Sequence, residues 1–204
     1  MKIKFLKAFN GDSILISFDD EAHQSRNILI DGGIGGTYKT EKNSKGKPEF
    51  GDLKIVIDNL RLKNEFIDLL IITHIDDDHI GGILKWFDSD LEAADLVKKV
   101  WFNSGGLIAE FLKKPENREL SHFIDPTKTP QTSIDQGIEF SKYILEKGIW
   151  DRKVILQGDV FSELGLKFTI LSPNKPKLEK LLKEWRKIEP DLKTSAKANL
   201  TKNL

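Results

Sequence analysis

Hydrophobic and polar positions alternate along the first thirty residues of the chain, with the period of a half-buried strand. Three segments show this alternation: residues 2–9, 13–18 and 27–30. The turn-forming run Asn10-Gly-Asp12 separates the first two, so we expect them to form a hairpin. Residues 35–51 are rich in glycine, lysine and serine, and this composition predicts an exposed loop.

The hydrophobic spacing then changes to that of a helix. Apolar residues at i, i+3, i+4 and i+7 predict one buried helical face, formed by Leu53, Val56, Ile57 and Leu60. Residues 66–73 form a nearly continuous apolar run, typical of a strand buried on both faces. Further strands are predicted at 97–102, 154–156 and 166–171, and further helices at 83–87, 132–147 (with Thr132 or Ser133 as N-cap) and 176–188. Hairpins followed by alternating helices and strands predict one α/β domain, a mixed sheet with flanking helices.

Composition narrows the chemistry. The 204 residues include four histidines but no cysteine. The absence of cysteine excludes disulfides, thiolate zinc sites and cysteine nucleophiles. Thirty-two basic and 32 acidic residues balance, which argues against a general nucleic-acid binder. No apolar run approaches the ~20 residues of a membrane span and no signal peptide is evident, so we expect a cytoplasmic protein without membrane contact. Nine basic against four acidic residues from Lys175 onward indicate a solvated helix face and tail.

The segment from His74 to Gly82 concentrates the side chains that can bind metals. It follows the buried strand, and the carboxyl end of such a strand is where ligand sites of α/β domains lie. Two imidazoles and three carboxylates fall within six residues, and neighbouring acids repel one another unless a cation neutralises them. This donor set suits zinc, manganese or iron better than calcium. The alternative is a solvated turn in which Asp78 caps the next helix.

Thr73-His-Ile-Asp-Asp-Asp-His-Ile-Gly-Gly82 resembles the HxHxDH motif and following Gly-Gly of the metallo-β-lactamase fold. It is most similar to the THxDxDHxGG form found in soluble relatives of the DNA-uptake protein ComEC. Asn10-Gly-Asp-Ser13 resembles the early strand of that family, and Leu29-Ile-Asp-Gly-Gly33 resembles its first motif. The end of the Ile170-Leu-Ser-Pro173 strand also recurs in the family. The resemblance extends over residues 1–173 and implies an αββα sandwich.

The resemblance also implies a ligand set. His74 and Asp76 would bind one divalent ion, and Asp78 and His79 would bind a second, with Asp78 as the catalytic residue. Asp31 would brace the metal-binding loop without binding the metal. Zinc is the expected ion, with manganese or iron as alternatives because Asp76 replaces the usual second histidine. The two ions would supply a hydroxide that attacks a phosphoester, or another ester or amide bond, in a small-molecule or nucleic-acid-derived substrate.

The sequence departs from the family in its second half. No histidine follows His122, and Gly158-Asp159 comes too early to supply the bridging aspartate of the family. We therefore expect a domain at 1–173 with an incomplete second half, a basic amphipathic helix at 174–190 and an unstructured polar tail at 191–204, where we expect the truncation. An open sheet edge would then favour self-association or a partner chain. Metal would be held loosely without the bridging carboxylate.

Two other functions remain open from the sequence. A degenerate hydrolase could act as a binding or assembly module, and the missing second half favours this alternative. A GDSL-type esterase would use Ser13 as nucleophile, with His79 as its base and Asp76 as its orienting acid. The strand context of Ser13 opposes this assignment. His122 is expected to be a surface or packing residue, and His23 is expected to be solvated.

Overall fold

The computed structural model describes residues 1–41, 46–113 and 133–200. In chain order the elements are β1 Lys2–Phe5, β2 Ile14–Asp19, β3 Ser25–Ile30, α1 Gly35–Tyr38, β4 Lys39–Thr40, β5 Glu49–Phe50, α2 Asp52–Leu62, β6 Leu69–Ile71, α3 Asp77–Ser89, a 3-10 turn Ala93–Leu96, β7 Val100–Trp101, α4 Gly105–Phe111, α5 Ser133–Glu146, β8 Val160–Glu163, β9 Leu166–Thr169 and α6 Lys175–Leu200.

A five-stranded mixed sheet in the order β1-β2-β3-β6-β7 forms the centre of the fold. The predicted hairpin is present, because β1 pairs antiparallel with β2, and β2 in turn pairs antiparallel with β3. Strands β6 and β7 then add in parallel to β3. The expected α/β class with a mixed sheet and flanking helices is confirmed.

The two faces of this sheet are covered differently. Leu29, Leu70 and Val100 lie side by side on neighbouring strands and contribute to the main core, together with the apolar faces of α2, α3 and α5. On the opposite face, Leu69 and Trp101 pack against the small β8–β9 hairpin. Helices therefore cover one face, and a hairpin covers part of the other.

Several predicted boundaries change in the structure. α3 begins at Asp77 rather than at residue 83, so its first turns contain most of the acidic segment and both glycines. Residues 35–51 are more than a loop, because Thr37 and Tyr38 are buried and anchor α1. Residues 42–45 lie outside the described part.

The late strands and the tail also differ from expectation. Residues 154–156 form no strand, because the Asn103 side chain donates to the Ile155 carbonyl (2.8 Å) and accepts from its amide (2.9 Å) in place of a neighbouring strand. The strand β8 was not predicted. The tail was expected to lack structure, but α6 continues to Leu200, since the leucine, lysine and alanine residues of this polar segment favour a helix. Residues 201–204 are outside the described part.

Among the helices that the structure describes, none combines the length and the apolar composition that a membrane span requires.

Candidate metal centre

The candidate site lies where β3 and β6 end side by side. Asp31 directly follows β3, and residues 72–74 follow β6. Because these strands are parallel neighbours, their carboxyl ends meet at the same edge of the sheet. The amide of Asp31 continues the ladder by donating to the Ile71 carbonyl at 2.9 Å.

Asp31 is the buried anchor of this edge, with 1% of its surface exposed. Its Oδ1 accepts the Thr73 amide at 2.8 Å, and its Oδ2 accepts the Thr73 hydroxyl. The same Oδ2 lies 3.0 Å from Nδ1 of His79. Burial raises the pKa of the Asp31 carboxyl, while Thr73 and His79 act in the opposite direction. Asp31 also has a φ of 54°, a left-handed conformation that aspartate tolerates better than most residues. The loop after β3 is thus fixed to the loop after β6.

This contact sets the chemistry of His79. A carboxylate oxygen accepts hydrogen bonds, so in its neutral form the His79 ring carries its proton on Nδ1 and keeps a lone pair on Nε2. Desolvation lowers the pKa of His79, but the hydrogen bond and charge of Asp31 and the charges of Asp78 and Asp12 outweigh it and raise the pKa above its ordinary value. Nε2 faces Oδ1 of Asp78 at 4.0 Å, too long for a hydrogen bond. His79 therefore has a carboxylate at Nδ1, an arrangement that is common among histidines that bind metals.

Close backbone packing positions α3 against the loop after β3. The Gly32 amide donates to the His79 carbonyl, and the Gly82 amide donates to the Gly33 carbonyl, both at 2.7 Å. A Cβ on Gly82 would lie 2.1 Å from the Gly32 carbonyl oxygen, so the two segments approach at a distance that only glycine permits. Gly32 and Gly82 therefore serve this contact, whereas Gly33 has a φ of 65°, a left-handed conformation that favours glycine.

A second contact holds the turn of the first hairpin against the start of α3. Gly11 has a φ of 72°, and a Cβ at this position would lie 1.7 Å from the backbone oxygen of Asp78. The turn at Asn10-Gly-Asp12 is therefore part of the site's scaffold as well as a hairpin turn. The neighbouring Asp12 contributes negative charge near His79.

His74 and Asp76 form a second pair. Nδ1 of His74 lies 3.1 Å from Oδ2 of Asp76, and the rings of His74 and His79 meet edge-on with centroids 5.5 Å apart. Asp76, not Asp78, is the N-cap of α3, and Asp77 and Asp78 lie in its first turn. Negative charge is favourable at that end of a helix, which offsets part of the repulsion between the acids.

The amino end of α5 supplies two contacts that the sequence did not reveal. The hydroxyl of Ser133 donates to Oδ1 of Asp76 at 2.6 Å, and Nε2 of Gln136 donates to Oδ1 of Asp77 at 2.7 Å. Ser133 was expected as a possible helix cap, and it is the first residue of α5. Its separation of 57 residues from Asp76 left no local signal for the contact. The other candidate cap, Thr132, falls outside the described residues.

The donor chemistry of the site suits a divalent ion. The side chains of His74, Asp76 and Asp78 are 57%, 51% and 42% exposed, so solvent and substrate can reach them. Two ligands of one zinc ion, each bound at about 2.0–2.2 Å, lie roughly 3–4 Å apart, and the pair His79 Nε2 and Asp78 Oδ1 has that spacing. Over residues 1–41, 46–113 and 133–200, however, no three histidine, aspartate or glutamate side chains converge as a group that could hold a metal. The predicted ligands stand as two pairs.

The remaining candidate residues lie apart from this chemistry. Ser13 is 2% exposed and its hydroxyl donates to the Asp31 carbonyl at 3.3 Å, an environment that disfavours the esterase alternative. His79 also pairs with Asp31 rather than with Asp76. His23 is exposed on the turn between β2 and β3, at the opposite end of the sheet. His122 lies outside the described residues.

Comparison with known proteins gives one match. The family model of the metallo-beta-lactamase superfamily matches residues 6–176, most of the chain and all of the site described above. No curated protein and no solved structure matches the chain significantly.

Proposed function

Because the chain belongs to the metallo-β-lactamase superfamily, we propose that it is a metal-dependent hydrolase whose site is the cluster at the carboxyl ends of β3 and β6. The observation that carries the proposal is the pairing of His79 with buried Asp31, which leaves Nε2 facing Asp78. Metal-binding histidines typically have such a carboxylate behind them.

The residues that would hold metal are His79, through Nε2, and Asp78, through its carboxylate, with His74 and Asp76 as the predicted second pair. A divalent ion held there would lower the pKa of a bound water towards ~7 and would polarise the bond to be cleaved. Zinc is the ion we propose, with manganese and iron as alternatives, since imidazole suits zinc and iron and carboxylate suits manganese. Asp76 was the fourth predicted ligand, and a second ion was expected with it; both remain predictions.

The chain's own groups have defined tasks in this proposal. Asp31 holds the proton of His79 at Nδ1 and keeps the ring from turning. Thr73 holds Asp31 in place through two hydrogen bonds. The exposed side of His74 and Asp78 leaves room for a substrate, for which we propose a phosphoester, as in the relatives of ComEC, or another ester or amide.

The proposal is tested with bis(p-nitrophenyl) phosphate and p-nitrophenyl acetate as probes of the purified chain, with added zinc or manganese and with EDTA. We expect hydrolysis of at least one probe that EDTA abolishes and metal restores. Asp78→Asn should lower the rate at least 100-fold, whereas Asp88→Asn, which removes the same charge from the other end of α3, should leave it within twofold. Ser13→Ala should retain activity if it folds. Activity that survives EDTA, or that Asp78→Asn leaves intact, would refute the proposal.

A second candidate function is supported by the two-pair arrangement of the ligands. Since no three such side chains converge within the described ranges, a binding module descended from a hydrolase is the alternative. Metal binding with no turnover of either probe would favour this alternative.

A further inference from the structure

The amino end of α5 lies against the acidic segment that follows β6. The hydroxyl of Ser133 donates to Oδ1 of Asp76 at 2.6 Å, and Nε2 of Gln136 donates to Oδ1 of Asp77 at 2.7 Å. Ser133 and Gln136 are three positions apart, so they lie on the same face of α5. One helix face therefore contacts two consecutive residues of the segment that is predicted to bind metal.

A buried apolar contact continues this face and determines where the helix lies. Gly137 is the next residue of the face, and a Cβ at this position would lie 3.1 Å from Cγ2 of Ile75 and 2.8 Å from Cη2 of Trp185. Ile75 is 7% exposed and Trp185 is 2% exposed, so both belong to the core. Trp185 is part of α6, and α5 therefore lies between α6 and the segment at 75–77. The hydroxyl of Ser133 is thus carried by a helix whose position the core determines.

The contact with Ser133 restrains a side chain that would otherwise turn freely. The carboxyl group of Asp76 is 51% exposed and makes no capping hydrogen bond to α3. A half-exposed side chain that had no hydrogen bond would populate several rotamers. Because the hydroxyl of Ser133 engages Oδ1, Oδ2 is held on the side of His74, 3.1 Å from its Nδ1. Two ligands of one zinc ion lie roughly 3–4 Å apart, so the restrained carboxylate has the spacing that the predicted pair requires.

We propose that Ser133 is a positioning residue of the metal centre, which orients the carboxylate of Asp76 for the ion that Asp76 and His74 are predicted to share. Carboxylates that bind metals are themselves hydrogen-bonded, and such a partner raises affinity because the ligand is ordered before the ion arrives. The inference rests on the proposed function for what Asp76 binds. The contact between Ser133 and Asp76, however, is a property of the metal-free protein.

The first test uses the metal-free protein and does not depend on the proposed function. It follows the side-chain carboxyl ¹³C signal of Asp76 by NMR, assigned by its loss in Asp76→Asn. Ser133→Ala should shift this signal, and Ser133→Thr, which keeps a hydroxyl, should hold it close to its wild-type position. Gln136→Ala is the matched control, because its partner is Asp77, and it should leave the Asp76 signal unchanged. An Asp76 signal that does not respond to Ser133→Ala would overturn the inference.

Zinc affinity, measured against a competing chelator, gives the second test. Loss of a group that holds a metal ligand typically costs about 10–100-fold in affinity, and we expect that loss for Ser133→Ala. Ser133→Thr and Gln136→Ala should stay within about threefold of the wild type, since both keep the hydrogen bond to Asp76. A loss in Gln136→Ala as large as that in Ser133→Ala would show that docking of the whole helix is responsible, and it would overturn the inference.

A double variant shows whether Ser133 acts through Asp76. Asp76→Ala alone should weaken zinc binding at least as much as Ser133→Ala does, because it removes the ligand itself. Adding Ser133→Ala to Asp76→Ala should then change the affinity by less than about twofold. A further loss as large as that in the wild-type background would overturn the inference. If the wild type binds no zinc, the proposed function fails, and the response of the Asp76 carboxyl signal to Ser133→Ala decides by itself whether Ser133 positions this side chain.

Discussion

Gly82→Ala tests whether close backbone packing between α3 and the loop after β3 builds the site. In an ordinary helix this substitution would stabilise the protein by about 1 kcal/mol, because alanine has the higher helix propensity. Here the new Cβ would lie 2.1 Å from the Gly32 carbonyl oxygen, 1.3 Å inside the 3.4 Å at which ordinary contact begins. The backbone must therefore separate at a point where it is tied by hydrogen bonds.

The expected cost follows from these contacts. Overpacking costs about 1–3 kcal/mol, and weakening the two 2.7 Å hydrogen bonds adds roughly 1 kcal/mol each. After subtracting the gain of about 1 kcal/mol in helix propensity, the net loss in the free energy of unfolding is about 2–4 kcal/mol. For a chain of this size, such a loss lowers Tm by roughly 4–16 °C.

Urea unfolding of the metal-free protein measures this loss. Gly35→Ala is the matched control, because its Cβ would have only Lys85 nearby, at 3.9 Å, and it should change the free energy of unfolding by less than about 1 kcal/mol. If Gly82→Ala proves as stable as the wild type, the reasoning about close packing is refuted.

Three other substitutions test separate parts of the account. Trp185→Ala removes an indole that is 2% exposed and lies against Gly105 of α4 and Gly137 of α5. Urea unfolding should show a loss of about 3–5 kcal/mol in the free energy of unfolding. A loss below about 1 kcal/mol would show that Trp185 does not anchor α6 at this point. Burial raises the pKa of Glu139, with a smaller contribution from the charge of Asp88. The native state therefore binds the Glu139 proton more tightly than the unfolded state does, and the protein loses stability as the pH rises through that pKa. Glu139→Gln should therefore stabilise the protein at pH 7 and weaken the dependence of the unfolding free energy on pH between pH 4 and 7, whereas a destabilised variant would contradict this. Strand β1 lies at one edge of the sheet, and Phe5 on this strand is 74% exposed. If this edge mediates self-association, sedimentation velocity should detect a dimer of the wild type that the Phe5→Lys variant does not form. A wild-type protein that stays monomeric at all concentrations would rule this out.

Local patterns were sufficient for the parts of the fold with a clear period. The strands at 14–19 and 25–30 alternate, and the helix at 52–62 has a clean apolar face, so their positions were predicted to within two residues. The start of α3 was missed because its first turns are acidic and contain two glycines, which a pattern of propensities assigns to a turn. Gly82 is explained by the Gly32 backbone that lies against it, and Gly81 by the Asp77 side chain and the Gly35 amide beside it.

The candidate site likewise contains residues that local patterns predicted and residues that only the folded structure brings together. His74, Asp76, Asp78 and His79 fall within one short segment, so their spacing and the motif predicted them together. Ser133 and Gln136 were not predicted as site residues, because only the packing of α5 against α3 brings them to the acidic segment. The contact between Asp76 and Ser133 could likewise not be inferred from the motif, because the two residues are 57 positions apart.

Metal content after equilibration tests the central claim most directly. The purified chain is incubated with zinc, manganese or iron(II), desalted and analysed by elemental mass spectrometry beside His79→Ala, Asp78→Ala and the control Asp88→Asn. The account predicts at least one ion per chain in the wild type and in Asp88→Asn, and a loss of retained metal in the other two variants. No stoichiometric metal in the wild type, or unchanged content in His79→Ala and Asp78→Ala, would contradict it.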